Sequence, residues 1–179
     1  MPGRNERPMR RAWLGLGGNI GEPLAAMRTA LQQIDGRADA AVDRVSPVYR
    51  TPPWGLLDQP AFLNAAAGIR TKLEPEALLG VVLQIELGLK RVRGERWGPR
   101  TIDIDVLAYE GIEANSERLT LPHPRMTERA FVMVPLADIA PDLVVSGKSV
   151  RQWVSTTDRS GMETALPGTN WWRQERTRV

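Results

Sequence analysis

Two carboxylates lie two residues apart in the segment Thr101-Ile102-Asp103-Ile104-Asp105. In a strand this spacing returns both side chains to the same face, about 6.7 Å apart. Two such charges repel each other, and a divalent cation between them turns the repulsion into ligation. Oxygen-only ligands suit Mg²⁺, which takes one or two carboxylates and completes its shell with phosphate oxygens and water. Asp103 and Asp105 are therefore candidate magnesium ligands, and the alternative is that both simply face solvent.

A run of cations precedes the two acids, because residues 90–100 contain five Lys or Arg side chains and a single acid, Glu95. Phosphoryl transfer requires positive charge around the phosphates and a bridging metal, with little covalent help from the protein. The arrangement favours a triphosphate site, and the alternative is a solvated loop whose arginines pair with Asp103 and Asp105. A P-loop enzyme of the usual form is excluded, since no Gly-x-x-x-x-Gly-Lys-Ser/Thr motif occurs. The cations are Lys90, Arg91, Arg93, Arg96 and Arg100.

Gly15, Gly17 and Gly18 resemble a phosphate loop, but the third glycine falls at the wrong spacing for a dinucleotide fingerprint. We interpret these glycines as a turn that lets backbone segments pack closely. His123, the single histidine, stands between two prolines in a stiff loop. Two interpretations are open for it, a structural residue or a donor to a phosphate oxygen.

The elements that must position these residues follow from hydrophobic periodicity and from the prolines and glycines. The predicted order is strand, helix, strand, strand, helix, strand, followed by an extension that contains a short helix. This order favours an α+β sandwich of the ferredoxin-like kind, with both main helices packed on one face of an antiparallel sheet. The predicted strands are 12–16, 42–49 with an interruption at Ser46-Pro47, 62–71 and 101–109, and the predicted helices are 22–34, 75–89 and 132–140.

Length and composition indicate a single domain in the cytoplasm. A chain of 179 residues buries enough surface for one core, and the absence of cysteine excludes disulfides and thiolate sites and fits a reduced compartment. Nowhere do eighteen apolar residues run together, so no membrane span is expected. We expect a flexible basic tail over residues 1–11, one catalytic domain over 12–160 and a C-terminal tail over 161–179.

The net charge of +3 is carried by the two ends of the chain. Residues 1–11 carry +3 and residues 168–179 carry +2, so the body between them carries −2. Basicity that sits on the ends weakens a nucleic-acid interpretation. We therefore expect no nucleic-acid partner. We also expect small-molecule substrates, a monomer and no membrane partner.

Four blocks of the sequence resemble the 6-hydroxymethyl-7,8-dihydropterin pyrophosphokinases, enzymes of folate biosynthesis, over about residues 12–143. The block RWGPRTIDID at residues 96–105 is highly specific, and it occurs together with the Pro-His block around His123. The resemblance implies transfer of the β,γ-pyrophosphoryl group of ATP to the hydroxymethyl oxygen of the pterin, with release of AMP. The four blocks are Leu16–Asn19, Ser46–Asn64, Gln84–Asp105 and Leu119–Phe131.

The resemblance also implies roles for residues around the nucleotide. Asp103 and Asp105 would bind two Mg²⁺ ions that clamp the triphosphate, which agrees with their spacing. Arg91 and Arg93 would lie on a mobile loop that closes over the reactants, and together with Arg100 they complete the set of catalytic residues. The positions that match the ATP site are Gln84, Glu86, Arg96, Trp97, Arg100, Arg118, Thr120, His123 and Arg129.

For the pterin, the resemblance implies that the flat ring is sandwiched between two aromatic side chains. Ring stacking suits a planar heterocycle, and the chain has only two phenylalanines, both at the matching positions. An asparagine would offer a donor and an acceptor to the edge of the pterin. The matching positions are Thr51, Pro53, Trp54, Phe62, Asn64 and Phe131.

Two other functions compete with this prediction. A non-catalytic ferredoxin-like module could grip nucleic acid through its basic loop, but two acids at the same place would repel phosphate in the absence of metal. A magnesium-dependent nucleotide transferase with a different acceptor would use the acids and arginines. It would have no use for Phe62, Asn64 and Phe131 as a set.

Overall fold

A computed structural model describes residues 7–53, 57–89 and 101–173 of the chain. Its first part alternates strands and helices in the predicted order, except that the predicted strand 42–49 is divided into two. None of the helices in these ranges is both long and apolar enough to cross a membrane. The elements are β1 (Arg10–Gly18), α1 (Pro23–Asp35), β2 (Ala40–Val45), β3 (Val48–Thr51), β4 (Phe62–Thr71), α2 (Pro75–Gly88) and β5 (Asp103–Tyr109).

The second part consists of short elements around one longer helix, which matches the predicted helix 132–140 to within two residues. The elements are β6 (Ala114–Asn115), β7 (Thr120–Leu121), a 3₁₀ helix (Met126–Glu128), α3 (Ala130–Ile139), β8 (Val144–Val145), β9 (Lys148–Ser149), α4 (Val150–Ser155) and β10 (Glu163–Leu166).

The main sheet has the strand order β10-β3-β4-β1-β5, and β2 pairs with β4 beyond the end of β3. All of these pairs are antiparallel. Helix α1 connects β1 to β2 across β4, and helix α2 connects β4 to β5 across β1, so the two crossovers interleave as in a split βαβ arrangement. The predicted α+β sandwich with an antiparallel sheet is confirmed.

Each face of the sheet has its own hydrophobic core. On one face, α1 and α2 bury side chains such as Met27, Leu31 and Leu78 against Leu14 of β1 and Ile104 of β5. On the other face, α3 and α4 pack over a smaller cluster. Because side chains alternate along a strand, Asp103 and Asp105 lie on the α3 face, opposite their neighbour Ile104. The members of the smaller cluster include Ala66, Leu107, Met126, Val132, Met133 and Leu136.

The break between β2 and β3 lies at Ser46-Pro47, where the sequence predicted an interruption. Proline has no N–H to donate to a neighbouring strand, so regular backbone pairing is interrupted at Pro47. The side chain of Ser46 pairs with β4 there, because its Oγ accepts a hydrogen bond from the backbone N–H of Ala66 at 2.9 Å. The register shifts by one residue across the break, because Val45 is paired with Ala67 while Tyr49 is paired with Asn64. Because of this shift, the side chain of Thr51 at the end of β3 faces α3. Thr51 lies at the same end of the sheet as Asp103 and Asp105.

Both ends of the chain are ordered further than predicted. β1 begins at Arg10, within the predicted tail 1–11, and pairs there with Thr71 of β4. β10 lies within the predicted tail 161–179 and pairs with β3. The prediction relied on charged and polar composition, whereas strand pairing uses backbone groups that every residue other than proline supplies. The domain bounds of 12 and 160 therefore exclude residues that belong to the sheet.

Tyr49 of β3 connects the sheet to α3 through a hydrogen bond from its hydroxyl to Asp138 Oδ2. Burial, and then the bond to Asp138, raise the pKa of Tyr49 to about 12. A pKa raised above the unfolded value near 10 means that the contribution of Tyr49 to stability is complete below pH 10 and is lost as the pH rises to about 12.

We expect Tyr49→Phe to be less stable than wild type by about 1 kcal/mol at pH 8, the net value of one hydrogen bond. The difference should shrink as the pH rises from 10 to 12, because only the wild type then loses the contribution of the hydroxyl. Urea unfolding of both proteins across this range measures it. A difference that stays constant to pH 12 would contradict the assignment.

Candidate active site

A cavity opens on the α3 face of the sheet, where β1, β4 and β5 lie under the start of α3. Asp103 and Asp105 of β5 form one side, and Thr51 and Pro52 at the end of β3 lie on the other. The predicted magnesium ligands and part of the predicted pterin site therefore line the same cavity. The lining residues are Gly15, Leu16, Gly17, Thr51, Pro52, Phe62, Asn64, Ala65, Asp103, Asp105, Arg129, Phe131 and Val132.

Strand register explains how residues distant in sequence meet here. Gly17 of β1 is paired with Asp103 on one side and with Asn64 of β4 on the other, so the three residues form a row across the sheet. Directly paired residues project their side chains from the same face of the sheet, and neighbouring strands lie about 4.8 Å apart. Asp103 and Asn64 therefore project from the same face, with their backbones about 10 Å apart. The next row places Gly15 beside Asp105. Gly15 and Gly17 thus form a floor of the cavity, between the acids and Asn64, that has no side chains of its own.

The glycines were predicted to form a turn, and that prediction is wrong, because Gly15, Gly17 and Gly18 all lie within β1. The predicted close packing does occur at Gly17. A Cβ atom there would overlap Oδ1 of Asn64, which lies directly against the strand. The Nδ2 of Asn64 donates to Thr51 Oγ1 at 2.7 Å, and both residues are buried. Thr51 and Gly17 therefore fix the position of this amide.

We expect Gly17→Ala to displace the Asn64 amide and break its bond to Thr51. A displaced buried amide costs about 1–3 kcal/mol of folding stability. Since the family resemblance implies that Asn64 contacts the pterin, the substitution should also raise the pterin KM by roughly tenfold or more. Urea unfolding and steady-state kinetics measure the two effects. Gly68→Ala in β4 is the matched control, because a Cβ there meets only ordinary contacts, at 3.8 Å and beyond. Equal behaviour of the two variants would show that Gly17 is not required.

The electrostatics of the cavity combine two acids with a buried cation. Arg129 precedes α3 and is only 7% exposed. Burial lowers the pKa of Arg129, while the charges of Asp105 and Asp103 oppose that shift. The guanidinium also lies 5.7 Å from the ring centroid of Phe131. Since arginine keeps its proton in proteins, the cavity holds a fixed positive charge beside the two carboxylates.

His123 lies half-buried beside β5, in the loop before the 3₁₀ helix. Its backbone N–H donates to Leu107 O at 2.8 Å, and its Nδ1 accepts from the backbone N–H of Arg125 at 3.2 Å. Burial, followed by the charge of Arg129, lowers the pKa of His123, and Asp103 opposes this. The lowered pKa favours the neutral ring, and because Nδ1 accepts a hydrogen bond, the proton of the neutral ring lies on Nε2.

Glu86 of α2 was predicted to lie at the ATP site and is placed on the other face of the sheet from the cavity. It is 3% exposed, and its Oε1 accepts from the backbone N–H of Ile104 at 2.6 Å. Ile104 lies between the two candidate metal ligands, Asp103 and Asp105. By binding its backbone N–H, Glu86 stabilises the part of β5 that carries both aspartates. Its predicted contact with ATP stays a prediction.

The remaining predicted residues fall into two groups. Within the described part of the chain, Gln84 on α2 and Arg118 before β7 are exposed, Thr120 and Pro53 are half-buried, and none of the four lines the cavity. The predicted roles of the other group concern residues outside the described ranges, and these roles stay predictions. That group comprises Trp54, Arg91, Arg93, Arg96, Trp97 and Arg100.

Pro52, Val132 and the glycines of β1 line the cavity without having been predicted. Pro52 is adjacent to the predicted Pro53, and in a rigid two-proline segment the sequence could not tell which ring faces inward. The glycines carry a signal that was available, since Gly15 and Gly17 are two residues apart at the end of the predicted strand 12–16, the spacing of one strand face. Alternate glycines on one face leave that face without side chains, which suits a close approach by a ligand.

The donor atoms at Asp103 and Asp105 suit a hard cation. In the described ranges there is no group of three or more His, Cys, Asp or Glu side chains arranged to hold a metal. Two carboxylates on one face, opening into a cavity, fit Mg²⁺, which takes few protein ligands and retains water or phosphate oxygens. They do not fit a closed zinc site, which requires four ligands.

The chain is similar to known proteins over most of its length. Residues 13–141 match the family model of 7,8-dihydro-6-hydroxymethylpterin-pyrophosphokinase. The 2-amino-4-hydroxy-6-hydroxymethyldihydropteridine pyrophosphokinase of Methylorubrum extorquens is 55% identical over 155 residues, covering 87% of this chain and 98% of that protein. The protein of the same name from Synechocystis is 41% identical over 159 residues, covering 88% and 81%.

The fold is similar to a solved structure as well. The chain matches the crystal structure of Plasmodium falciparum HPPK-DHPS wild type with STZ-DHP at a TM-score of 0.66 and 15% identity. The match covers 85% of this chain and 44% of the Plasmodium chain, so this chain spans less than half of that longer protein. At this identity the likeness concerns the fold alone.

Proposed function

The chain belongs to the 7,8-dihydro-6-hydroxymethylpterin-pyrophosphokinase family, the pyrophosphokinases of folate biosynthesis, and from this premise we propose where and how the reaction takes place. The cavity on the α3 face is the site at which the β,γ-pyrophosphoryl group of ATP passes to the hydroxymethyl oxygen of the pterin. The observation that carries the proposal is that the two acids, the amide of Asn64 and both phenylalanines line one cavity.

Asp103 and Asp105 hold Mg²⁺ in this proposal, two ions by the family resemblance. When bound, the metal neutralises charge on the triphosphate and polarises the oxygens that it touches. The chain contributes a pair of carboxylates set at a fixed spacing by β5, and Glu86 supports that strand from the other face through Ile104. Preorganisation of this kind means that the acids need not move when the ligand arrives.

Arg129 supplies positive charge beside the two acids. As a buried guanidinium it pairs well with phosphate oxygens, which can replace part of the water it has lost. The proton on His123 Nε2 provides a neutral donor nearby. Arg91, Arg93, Arg96 and Arg100 would add further charge, as the family resemblance implies.

The pterin lies on the glycine floor of β1, between Phe62 and Phe131. Both rings are half-buried, so part of each ring surface is left for a ligand to cover. The bond between Asn64 and Thr51 sets the orientation of the amide and directs Oδ1 to the floor at Gly17. Hydrogen bonds from a fixed amide select a heterocycle with matching donors and acceptors along its edge.

The reaction follows from this placement. The pterin hydroxymethyl oxygen forms a bond to the β-phosphorus and gives up its proton to water. The bond between that phosphorus and the oxygen bridging to the α-phosphorus breaks, and AMP leaves. The protein holds the two substrates in line and surrounds the phosphates with charge. Membership of the family removes both competing functions, the nucleic-acid module and the transferase with a different acceptor. A monomer in the cytoplasm stays a prediction.

Product analysis tests this function. The purified protein is incubated with ATP, Mg²⁺ and 6-hydroxymethyl-7,8-dihydropterin, and the phosphorus-containing products are followed by ³¹P NMR. We expect AMP and a pterin diphosphate in equal amounts, and no turnover when either the pterin or Mg²⁺ is left out. ADP as the nucleotide product, or turnover that does not require the pterin, would refute the proposal.

A further inference from the structure

The segment Asp158–Arg173 lies beyond residues 13–141, the part of the chain that the family model matches. It nevertheless packs along β3, the strand whose end leads into the cavity. β10 pairs with β3 through Glu163 opposite Arg50 and Thr164 opposite Tyr49. β3 is therefore not an edge strand, because the C-terminal segment covers its outer side.

The turn before β10 reaches the wall of the cavity itself. Extending the pairing of Glu163 with Arg50 by two residues places Gly161 opposite Pro52. Gly161 has a φ of +77°, and a Cβ atom built on it would lie 2.7 Å from Cγ of Pro52. Pro52 is also one of the residues that line the cavity. Gly161 is thus placed against a residue of the proposed pterin site.

The other end of the segment is anchored at the beginning of β3. Trp171 Nε1 donates to the backbone oxygen of Ser46, the residue before the proline break, at 2.8 Å. Helix α1 fixes the segment in turn, because Arg28 Nε donates to Trp171 O at 2.7 Å and Gln32 Nε2 donates to Trp172 O at 2.9 Å. Trp172 is itself buried in the main core. The C-terminal segment therefore contacts the residues on both sides of β3, Ser46 before the strand and Pro52 after it.

β3 is only four residues long, and its last residue, Thr51, holds Asn64. We propose that the C-terminal segment positions the wall of the pterin site, with Gly161 as the residue that sets the place of Pro52. This inference rests on the proposed function of the cavity. It assigns to residues outside the family match a role in substrate affinity, which they exert through Pro52 and Thr51 without touching the substrate.

The test compares two glycine variants that have the same backbone strain. Gly161→Ala and Gly147→Ala both place a side chain at positive φ, +77° and +84°, but a Cβ at Gly147 meets nothing within 4 Å. We expect Gly161→Ala to raise the pterin KM roughly threefold to tenfold above that of Gly147→Ala, since a shift of a few tenths of an ångström in a site wall is costly. The KM for ATP should be the same in both variants.

Removing the contacted atoms should remove the effect. In a Pro52→Ala background, which lacks Cγ and Cδ, adding Gly161→Ala should change the pterin KM less than about twofold. Equal pterin KM values for Gly161→Ala and Gly147→Ala would overturn the inference, as would an undiminished effect in the Pro52→Ala background. In either case normal wild-type turnover would leave the proposed function standing, whereas failure of the wild type to turn over pterin would overturn that function first.

A second pair of variants covers the case in which Gly161→Ala does not fold. Trp171→Phe loses the donor to Ser46, and the matched Trp153→Phe loses an equivalent donor, which binds Val145 O at 2.8 Å away from the cavity. We expect a pterin KM at least about twofold higher in Trp171→Phe than in Trp153→Phe, with unchanged kcat. Equal KM values in this pair would overturn the inference.

Discussion

Asp103→Asn and Asp105→Asn are each expected to lower kcat/KM by roughly 10³-fold or more while the protein remains folded. Each substitution keeps the size of the side chain and removes the negative charge that holds Mg²⁺. The acids lie on one face of β5 and both line the cavity, so the loss of either leaves the triphosphate poorly neutralised. Steady-state kinetics at saturating Mg²⁺, with circular dichroism to verify the fold, measure the effect.

Asp43→Asn is the matched control, because Asp43 is an exposed strand acid of β2 that does not line this cavity. It should retain the wild-type rate. Binding provides a second measurement that does not depend on turnover, since MgATP should raise the melting temperature of the wild type and of Asp43→Asn but not of the two cavity variants. A cavity variant within tenfold of wild-type kcat/KM would contradict the metal assignment.

Phe131→Ala is expected to raise the pterin KM by roughly tenfold to a hundredfold, because stacking of a heterocycle on an aromatic ring is worth about 1–3 kcal/mol. The KM for ATP should change little, since the role of the ring is specific to the pterin. Phe131 stands at the start of α3 and packs only partly against the smaller core, so the fold should tolerate its loss. Steady-state kinetics with each substrate varied in turn separate the two affinities.

Two further substitutions show whether stacking is the cause. Phe131→Tyr keeps the ring and should keep the pterin KM within about threefold, whereas Phe131→Leu keeps apolar volume but loses the ring and should resemble Phe131→Ala. If Phe131→Leu binds the pterin as well as the wild type, the side chain acts only as an apolar contact. If the KM for ATP rises in parallel, Phe131 does not belong to the pterin site.

The parts of the fold that follow local rules were predictable from the sequence. Helical spacing in α1 and α2 and strict alternation in β5 identified these elements, and the alternation also placed Asp103 and Asp105 on one face. The strand break at Ser46-Pro47 followed from the missing N–H of proline. β10 could not be predicted in the same way, because a short polar segment becomes a strand only when β3 offers it backbone partners.

The site was predictable only in part, because its assembly depends on register. The sequence identifies Asp103 through its spacing to Asp105 and Asn64 through the family resemblance, but nothing local shows that Gly17 lies between Asp103 and Asn64. That arrangement follows from the pairing of β1 with both β4 and β5. The contact between Gly161 and Pro52 depends likewise on the register between β10 and β3, which no periodicity of residues 161–179 reveals.

A crystal structure of the protein with Mg²⁺, a non-hydrolysable ATP analogue and the pterin tests the central claim most directly, which is that one cavity brings the metal and both substrates together. We predict metal density bridging the phosphates to the carboxylates of Asp103 and Asp105, at about 2.0–2.1 Å from their oxygens. The pterin ring should lie between Phe62 and Phe131, against the glycines of β1. Metal bound away from the two aspartates, or a pterin outside this cavity, would contradict the account.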